Sequence, residues 1–252
     1  MATWDPIDGT SDLYATERWS KAGWHWRATA LRLPAGGLLL IGPLRGTSDD
    51  AHAELDAIGR TEAILAPNHF HWMGLPEHRQ RHPRAVVATS EVATRRLARK
   101  ERGRFAPLAE IAGALPAGAE LLAPPGLKNG EVWLRIASGD RMTWVVTDAF
   151  FNLAANARGF TGFMLRATGT APGLRIGRTF TALAIGDRAP YRDWLLERIA
   201  ADRLTTLVPG HGAVLTGDDL PARLDALVRA RLGNPRRQLS AGPGPALMRA
   251  PA

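Results

Sequence analysis

The sequence predicts an α/β (α+β) protein built as a four-layer αββα sandwich, two mixed sheets flanked by helices. Three observations carry that expectation. Strand and helix signals alternate through residue 104; a second run of short strands follows between residues 120 and 147; and amphipathic helices then close the chain around one more apolar strand. Each half leads with strands and carries its helices outside, the arrangement in which two half-buried sheets cover one another. With 252 residues, 45% hydrophobic and 22% charged, the chain is long and apolar enough to bury a sizeable core.

The elements follow in order. Trp24, Trp26, Ala28, Ala30 and Leu31 alternate in the strand manner, Pro34-Ala35-Gly36-Gly37 supplies a turn, and Leu38 to Ile41 follow it as the return strand of a hairpin. Asp49 and Asp50 offer capping chemistry for a helix over Ala51 to Ile58, and Ala63 to Ala66 form a brief strand that stops at Pro67. A second cycle runs through a helix at Leu75 to Gln80, a strand at Ala85 to Ala88, and a basic helix from Glu91 to Arg102 capped by Ser90. Glu120 to Ala123, Glu131 to Ala137 and Thr143 to Thr147 read as strands between Gly- or Pro-bearing turns. Tyr191 to Ala201 has helical periodicity, Thr206 to Val208 is apolar and extended, and Leu220 to Leu232 is the last helix. Residues 1–232 thus read as a single domain, and 233–252, rich in Pro, Gly and Arg, as a flexible basic tail.

Composition excludes several function classes. Without cysteine there are no disulfides, thiolate nucleophiles or iron–sulfur clusters, so a metal must be held by His, Asp or Glu. No apolar run approaches the roughly 20 residues that cross a bilayer, and the N-terminus has neither a basic nor an apolar leader segment; the expectation is a cytoplasmic protein with no membrane partner. The net charge of +8 invites a nucleic-acid reading, but the charge is local. Residues 79–104 carry a net +7 and residues 229–252 a net +5, so the remainder holds four more acids than bases. Without aromatic residues interleaved among the arginines, this pattern favours a solvated basic face, open to an anionic partner, over nucleic-acid binding. The motifs of serine hydrolases, P-loop enzymes and dinucleotide-binding folds are absent.

Metal-competent side chains stand where three apolar strands end: Asn68-His69-Phe70-His71 after Ala63 to Ala66, Asp148 after Thr143 to Thr147, and Gly210-His211-Gly212 after Thr206 to Val208. That is where α/β architectures build sites. In an extended segment residues two apart point the same way, so His69 and His71 are placed to offer two ring nitrogens to one ion. Glycines on both sides of His211 permit the tight turn that aims an imidazole inward. Taken singly, each residue has a plainer reading as a loop hydrogen bond, a turn cap or a turn. Trp72, directly after His71, is placed to line a pocket mouth and meet a small apolar or aromatic substrate. His78 and His82 share a helix face among Arg79, Arg81 and Arg84, which favours a solvated face over a ligand pair. Asn68 and Asn152 flank the proposed ligands and are candidates to hydrogen-bond them.

The ordered set resembles the metallo-β-lactamase superfamily of metallo-hydrolases. APNHFHWMG resembles its His-x-His-x-Asp-His motif, WVVTDAFFN the strand that carries its bridging Asp, and LVPGHGAVLTG its last Gly-His strand end. The resemblance spans most of the chain and implies an αββα fold, with His69, His71, Asp148 and His211 at metal-ligand positions. The departures are equally specific. Met73 and Gly74 stand where the family has Asp and His, and Pro124-Pro125-Gly126-Leu127 stands where its middle histidine belongs. Three of seven ligands are missing, which removes the two-metal clamp and leaves room for one zinc or iron ion. Two readings follow: a hydrolase with at most one ion activating a water, and a catalytically inactive relative of the same fold, holding no ion, that binds partners through its basic 79–104 face.

Overall fold

The computed structural model describes residues 3–10, 12–21, 23–101, 103–154 and 159–233. The first sheet takes seven strands in sequence order: β1 (Asp5–Pro6), β2 (Leu13–Trp19), β3 (His25–Arg32), β4 (Leu38–Ile41), β5 (Thr61–Leu65), β6 (Val86–Thr89) and β7 (Ala106–Pro107). The first four are antiparallel and the last four parallel. Parallel pairing needs crossovers, and α1 (Asp49–Ile58), α2 (Leu75–Arg81) and α3 (Glu91–Lys100) lie in these connections, followed by the short α4 (Ala109–Ala112). The second sheet comprises β8 (Ala119–Leu122), β9 (Trp133–Ser138), β10 (Arg141–Leu153), β11 (Gly173–Arg175), β12 (Thr206–Gly212) and β13 (Leu215–Thr216). Its order is β13-β12-β10-β9-β8, with β11 paired to β10. Helices α5 (Gly159–Ala167), α6 (Arg178–Leu183) and α7 (Arg188–Asp202) lie between β10 and its parallel neighbour β12, and α8 (Leu220–Leu232) ends the described chain.

The period-2 alternation of strands sorts side chains into the layers. Leu38, Leu40, Ala28, Ala30 and Ile64 pack on Leu55 of α1, Leu75 of α2 and Leu97 of α3. Their alternates Leu39, Ile41, Leu31 and Leu65 face Leu134, Val145 and Val208 of the other sheet. On the far face of that sheet Trp133, Trp144, Val146 and Leu207 meet Leu195 and Ile199 of α7 and Leu224 and Val228 of α8. The expected αββα sandwich is therefore present, each sheet buried on both faces. Among the described residues no helix is long and apolar enough to cross a membrane.

Several boundaries differ from the sequence reading. Ser48 caps α1, its hydroxyl accepting from Ala51 N at 3.2 Å, while Asp49 and Asp50 fill the first turn, where acids favour the helix dipole. Ser90 caps α3 as expected. That helix stops at Lys100 because Glu101 turns inward to pair with Arg79 at 3.0 Å. Strands β10 and β12 extend past the expected ends to Leu153 and Gly212. Strand β2 escaped notice because its burial does not alternate, and α5 because two glycines and an exposed Phe160 and Phe163 blur its periodicity. The face bearing His78 and His82 is not solvated: both side chains are buried, while Arg79 turns to Glu101 and Arg81 to Asp56. The expected basic tail, from residue 234 on, lies outside the described residues.

One buried cation ties the two sheets. Arg27 of β3 is 5% exposed; its guanidinium donates to Pro209 O on β12 and to the Glu17 carboxylate on β2. The His25 imidazole, and then Arg27, outweigh partial burial and hold the Glu17 carboxyl down to about 2. Removing one partner of such a pair strands the other charge. Glu17→Gln should lower unfolding stability at pH 7 by about 2 kcal/mol, a figure reduced for the solvent-exposed side of Glu17. Because the folded state depresses this acid, its contribution is complete above the ordinary value near 4.5 and disappears as pH falls towards 2. Urea titrations should therefore show the gap between parent and variant narrowing as pH falls below 4.5.

Candidate metal centre

The site begins with a break in a strand ladder. Strands β10 and β12 pair residue for residue from Thr143↔Thr206 to Val146↔Pro209, then resume at Phe151↔His211. Thr147 to Phe150 must bulge out against Gly210 alone, and a bulge leaves backbone donors without ladder partners. Glu131 replaces those partners. Its Oε1 accepts from Thr147 N at 2.9 Å, Asp148 N at 3.0 Å and Ala149 N at 3.1 Å, and from the Trp133 indole at 3.1 Å. Glu131 is buried, and burial together with the Asp148 charge pushes its carboxyl up to about 7. The bulge turns Asp148 out of the sheet toward the ends of β5 and β12.

Asp148 meets two imidazoles there. His71 Nε2 and His211 Nε2 both stand 3.2 Å from Asp148 Oδ1, and Asn68 Nδ2 donates to Oδ2 at 2.8 Å. Burial alone would raise the Asp148 carboxyl and lower the His71 imidazole. Each group overrides burial on the other, so Asp148 is held far below the usual carboxylate range and His71 above its ordinary value. His211 Nδ1 lies 2.6 Å from the His25 carbonyl, which only accepts, so the proton sits on Nδ1 and Nε2 turns a lone pair to the centre. His25 is fixed in turn: Gly212 N donates to its Nδ1 at 2.7 Å, and its Nε2 stands 3.2 Å from Glu17. Gly212 has φ +101°, and a Cβ there would overlap the Asn152 carbonyl, so only glycine serves. Phe151 stacks on the His211 ring from one side, and Trp24 leans on it at 4.9 Å.

These donors suit a metal. Ligands about 2.0–2.1 Å from a tetrahedral ion stand about 3.3 Å apart, close to the two 3.2 Å separations seen here, and all three ligating atoms lie within 4.8 Å of one another. An imidazole lone pair facing a carboxylate oxygen calls for a proton or a cation between them.

His69 does not join the group. The loop after β5 turns instead of extending, with Asn68 Oδ1 accepting from Phe70 N at 2.8 Å, so the two histidines diverge. His69 Nδ1 lies 3.0 Å from Asn129 O, and Arg96 donates to its Nε2 at 3.1 Å. Burial, then Arg96 and Lys100, keep this imidazole below its ordinary value. Trp72 also lies elsewhere: its ring packs on the helix-side core of the first sheet, with Lys100 Nζ 5.8 Å from its centroid. Asn68 touches Asp148 as expected, whereas Asn152 donates to Ala213 O. Glu131 and His25 carry no local sequence signal, because the groups they hold lie far along the chain.

The missing ligands have structural replacements. A Cβ at Gly74 would overlap the carbonyl oxygen of Pro43, so the backbone of Pro43 and Leu44 occupies the space a side chain would need. Met73 is half exposed, and Leu127 is buried and bridges to Ile185. Among the described residues, positions 73, 74 and 127 offer no donor for a second ion beside Asp148. The space over Asp148 is instead a pocket of about 410 Å³ walled by Trp24, Trp26, Pro43, Leu44, Phe70 and Met73, with Arg18 and Arg45 at the same opening.

No protein-family model and no curated protein sequence matches the chain. Solved structures match its fold. A metallo-beta-lactamase from Pontibacter korlensis has a TM-score of 0.54 at 14% identity, covering 90% of this chain and 99% of that one. The metallo-beta-lactamase FIM-1 from Pseudomonas aeruginosa, in its mono-zinc form, gives 0.54 at 12%, covering 92% and 96%. A flavo di-iron protein variant from Thermotoga maritima gives 0.57 at 14%, covering 90% of this chain and 60% of that one. The chain therefore has the metallo-β-lactamase fold, at a sequence distance where fold is what the likeness establishes.

Substitutions at two positions test this arrangement. Glu131→Ala should cost about 3 kcal/mol, because three buried N–H groups lose their acceptor, while Glu131→Gln, which keeps a carbonyl oxygen, should cost clearly less; urea midpoints give the comparison. Gly74→His should destabilise by about 3 kcal/mol through overlap with Pro43 and should bind no more metal than the parent by elemental analysis.

Proposed function

We propose that the chain is a metal-dependent hydrolase that uses one zinc or iron ion held by His71 Nε2, His211 Nε2 and Asp148 Oδ1. The observation that carries this reading is the convergence of the three atoms at the base of an apolar pocket, with Asp148 held by Asn68 and His211 by the His25 carbonyl. A bound divalent ion supplies a Lewis acid and brings a water toward neutral pKa at an open coordination position. The chain's own residues do the rest. Asn68 holds Asp148 by its second oxygen, the His25 carbonyl fixes the His211 proton on Nδ1, and Glu131 holds the bulge that presents Asp148. Trp24, Trp26, Phe70 and Met73 exclude water from one side of the opening and suit an apolar substrate body. Arg18 and Arg45 at the same opening suit an anionic group on it, so a small ester, amide or phosphoester of that shape is the substrate class the pocket favours.

His69, the fourth residue of the expected set, belongs in this reading to the supporting structure, since Arg96 and Lys100 beside it oppose a further cation. The mono-zinc form reported for the Pseudomonas aeruginosa protein supports single-ion occupancy of this fold.

Protein purified without added metal should contain zinc or iron. His71→Ala and Asp148→Ala should each lose one equivalent and the hydrolysis of 4-nitrophenyl acetate or bis(4-nitrophenyl) phosphate with it. Parent protein that takes up no ion at these residues would overturn the reading and leave the basic 79–104 face, with Arg84, Arg95 and Arg99 exposed, as the feature to pursue.

A further inference from the structure

A second set of imidazoles lies on the outer side of the first sheet, away from Asp148. His52 on α1, His78 on α2 and His82 at the end of α2 are each more than nine-tenths buried, and their ring centroids stand 5.0, 6.4 and 6.0 Å apart. One nitrogen of each ring, His52 Nδ1, His78 Nδ1 and His82 Nε2, is buried with no hydrogen-bond partner. Three orphaned polar atoms in one place is costly, since each forfeits its hydration without replacement.

The opposite nitrogens explain why those of His52 and His78 are free. His52 Nε2 faces Glu77 Oε1 at 3.3 Å, and His78 Nε2 faces the Leu44 carbonyl at 3.2 Å. Both partners accept, so both rings carry their proton on Nε2 and leave a lone pair on Nδ1. This is the bracing that metal-bound histidines have: one nitrogen held by a carboxylate or a carbonyl, the other free. Glu77 is itself fixed, accepting from Gly46 N at 2.6 Å and Thr47 N at 3.0 Å. Protonation cannot satisfy the cluster, because three imidazolium ions at these separations, out of water, would repel one another. One atom from each ring can be chosen so that all lie within 4.8 Å of one another. That is wider than the roughly 3.3 Å of bound ligands, so an ion would draw the rings together.

We propose that His52, His78 and His82 form a second, structural metal site that takes a divalent first-row transition ion of the zinc type. Three neutral nitrogen donors suit zinc, nickel or copper and exclude magnesium and calcium, which need oxygen ligands. The ion would join α1 to α2, and through the Leu44 carbonyl and Glu77 it would brace the 44–47 loop, whose Leu44 and Arg45 wall the pocket over Asp148. His82 also lines a surface cavity with Arg60, Glu62, Arg81 and Arg84, of which Arg60 pairs with Glu62 and Arg81 with Asp56.

The site is tested in a background where the first one is removed. Metal-stripped full-length protein carrying His71→Ala and His211→Ala, titrated with zinc chloride, should still take up about one equivalent and melt at a higher temperature with zinc than without. Cobalt substitution should give the visible absorption of a nitrogen-ligated tetrahedral ion. Adding His82→Gln to that background should remove the equivalent, the thermal shift and the cobalt spectrum. No uptake by the His71→Ala/His211→Ala protein, or uptake unchanged by His82→Gln, overturns the proposal. Should the triple variant fail to fold, anomalous diffraction at the zinc edge from crystals of the parent protein decides: a peak among His52, His78 and His82 is expected, and a peak only at Asp148, or none, overturns it. Failure at Asp148 alone leaves this outcome unaffected, so the two centres are judged separately.

Discussion

A single buried carboxylate decides where the centre is. For four residues β10 leaves its parallel neighbour, and the three amides at Thr147, Asp148 and Ala149 would be stranded in the interior without Glu131. An unpaired buried amide costs more than an ordinary hydrogen bond gains, so the bulge and the acid that fills it stand or fall together. With the bulge in place Asp148 leaves the sheet plane and the rest can assemble: His211 from the end of β12, His71 from the turn after β5, and Asn68 as a tether. Glu131 thus shapes the site through the backbone that presents Asp148.

The two sheets contribute unequally. The second sheet gives Asp148 and His211, whose relative position is set by ladder register and by Gly212, which approaches the Asn152 backbone so closely that no other residue fits. The first sheet gives His71 on a loop, positioned by the Asn68 side chain. Arg27, buried between β3 and β12 with its charge returned by Glu17, keeps those contributions in register across the sandwich. Beside the loop that places His71, the chain at Pro43 and Leu44 lies against Gly74 and fills the space a side chain there would need. Backbone packing, as well as the side chains at these positions, therefore leaves no room for a further donor at Gly74.

Much of this was legible in the residues. The alternation in Leu38–Ile41, the caps at Ser90 and near Asp49, and the proline and glycine punctuation are local signals with local causes, and they placed most strands and the long helices within a few residues. Polar, metal-competent residues at three strand ends located three of the atoms that meet. The pair His69 and His71 misled because i and i+2 share a direction only in extended chain, and here the chain turns. Trp72 misled for the same reason: adjacency to a ligand says nothing about which side of a turn a ring takes. His78 and His82 read as solvated because their neighbours are arginines, yet Arg79 and Arg81 are drawn off to Glu101 and Asp56, leaving the imidazoles to α1.

By itself the sequence determined the layer order, the strand ends that carry chemistry, and the absence of cysteine ligands and of a full two-metal motif, because periodicity, turn residues and composition act over a few positions. Tertiary structure alone decided that Asp148, His71 and His211 converge while His69 does not, that Glu131 and His25 stand behind them, and that three histidines far from that centre are buried together. These outcomes depend on which side chain fills a gap left by a residue tens of positions away, and no local pattern in a chain encodes that complementarity.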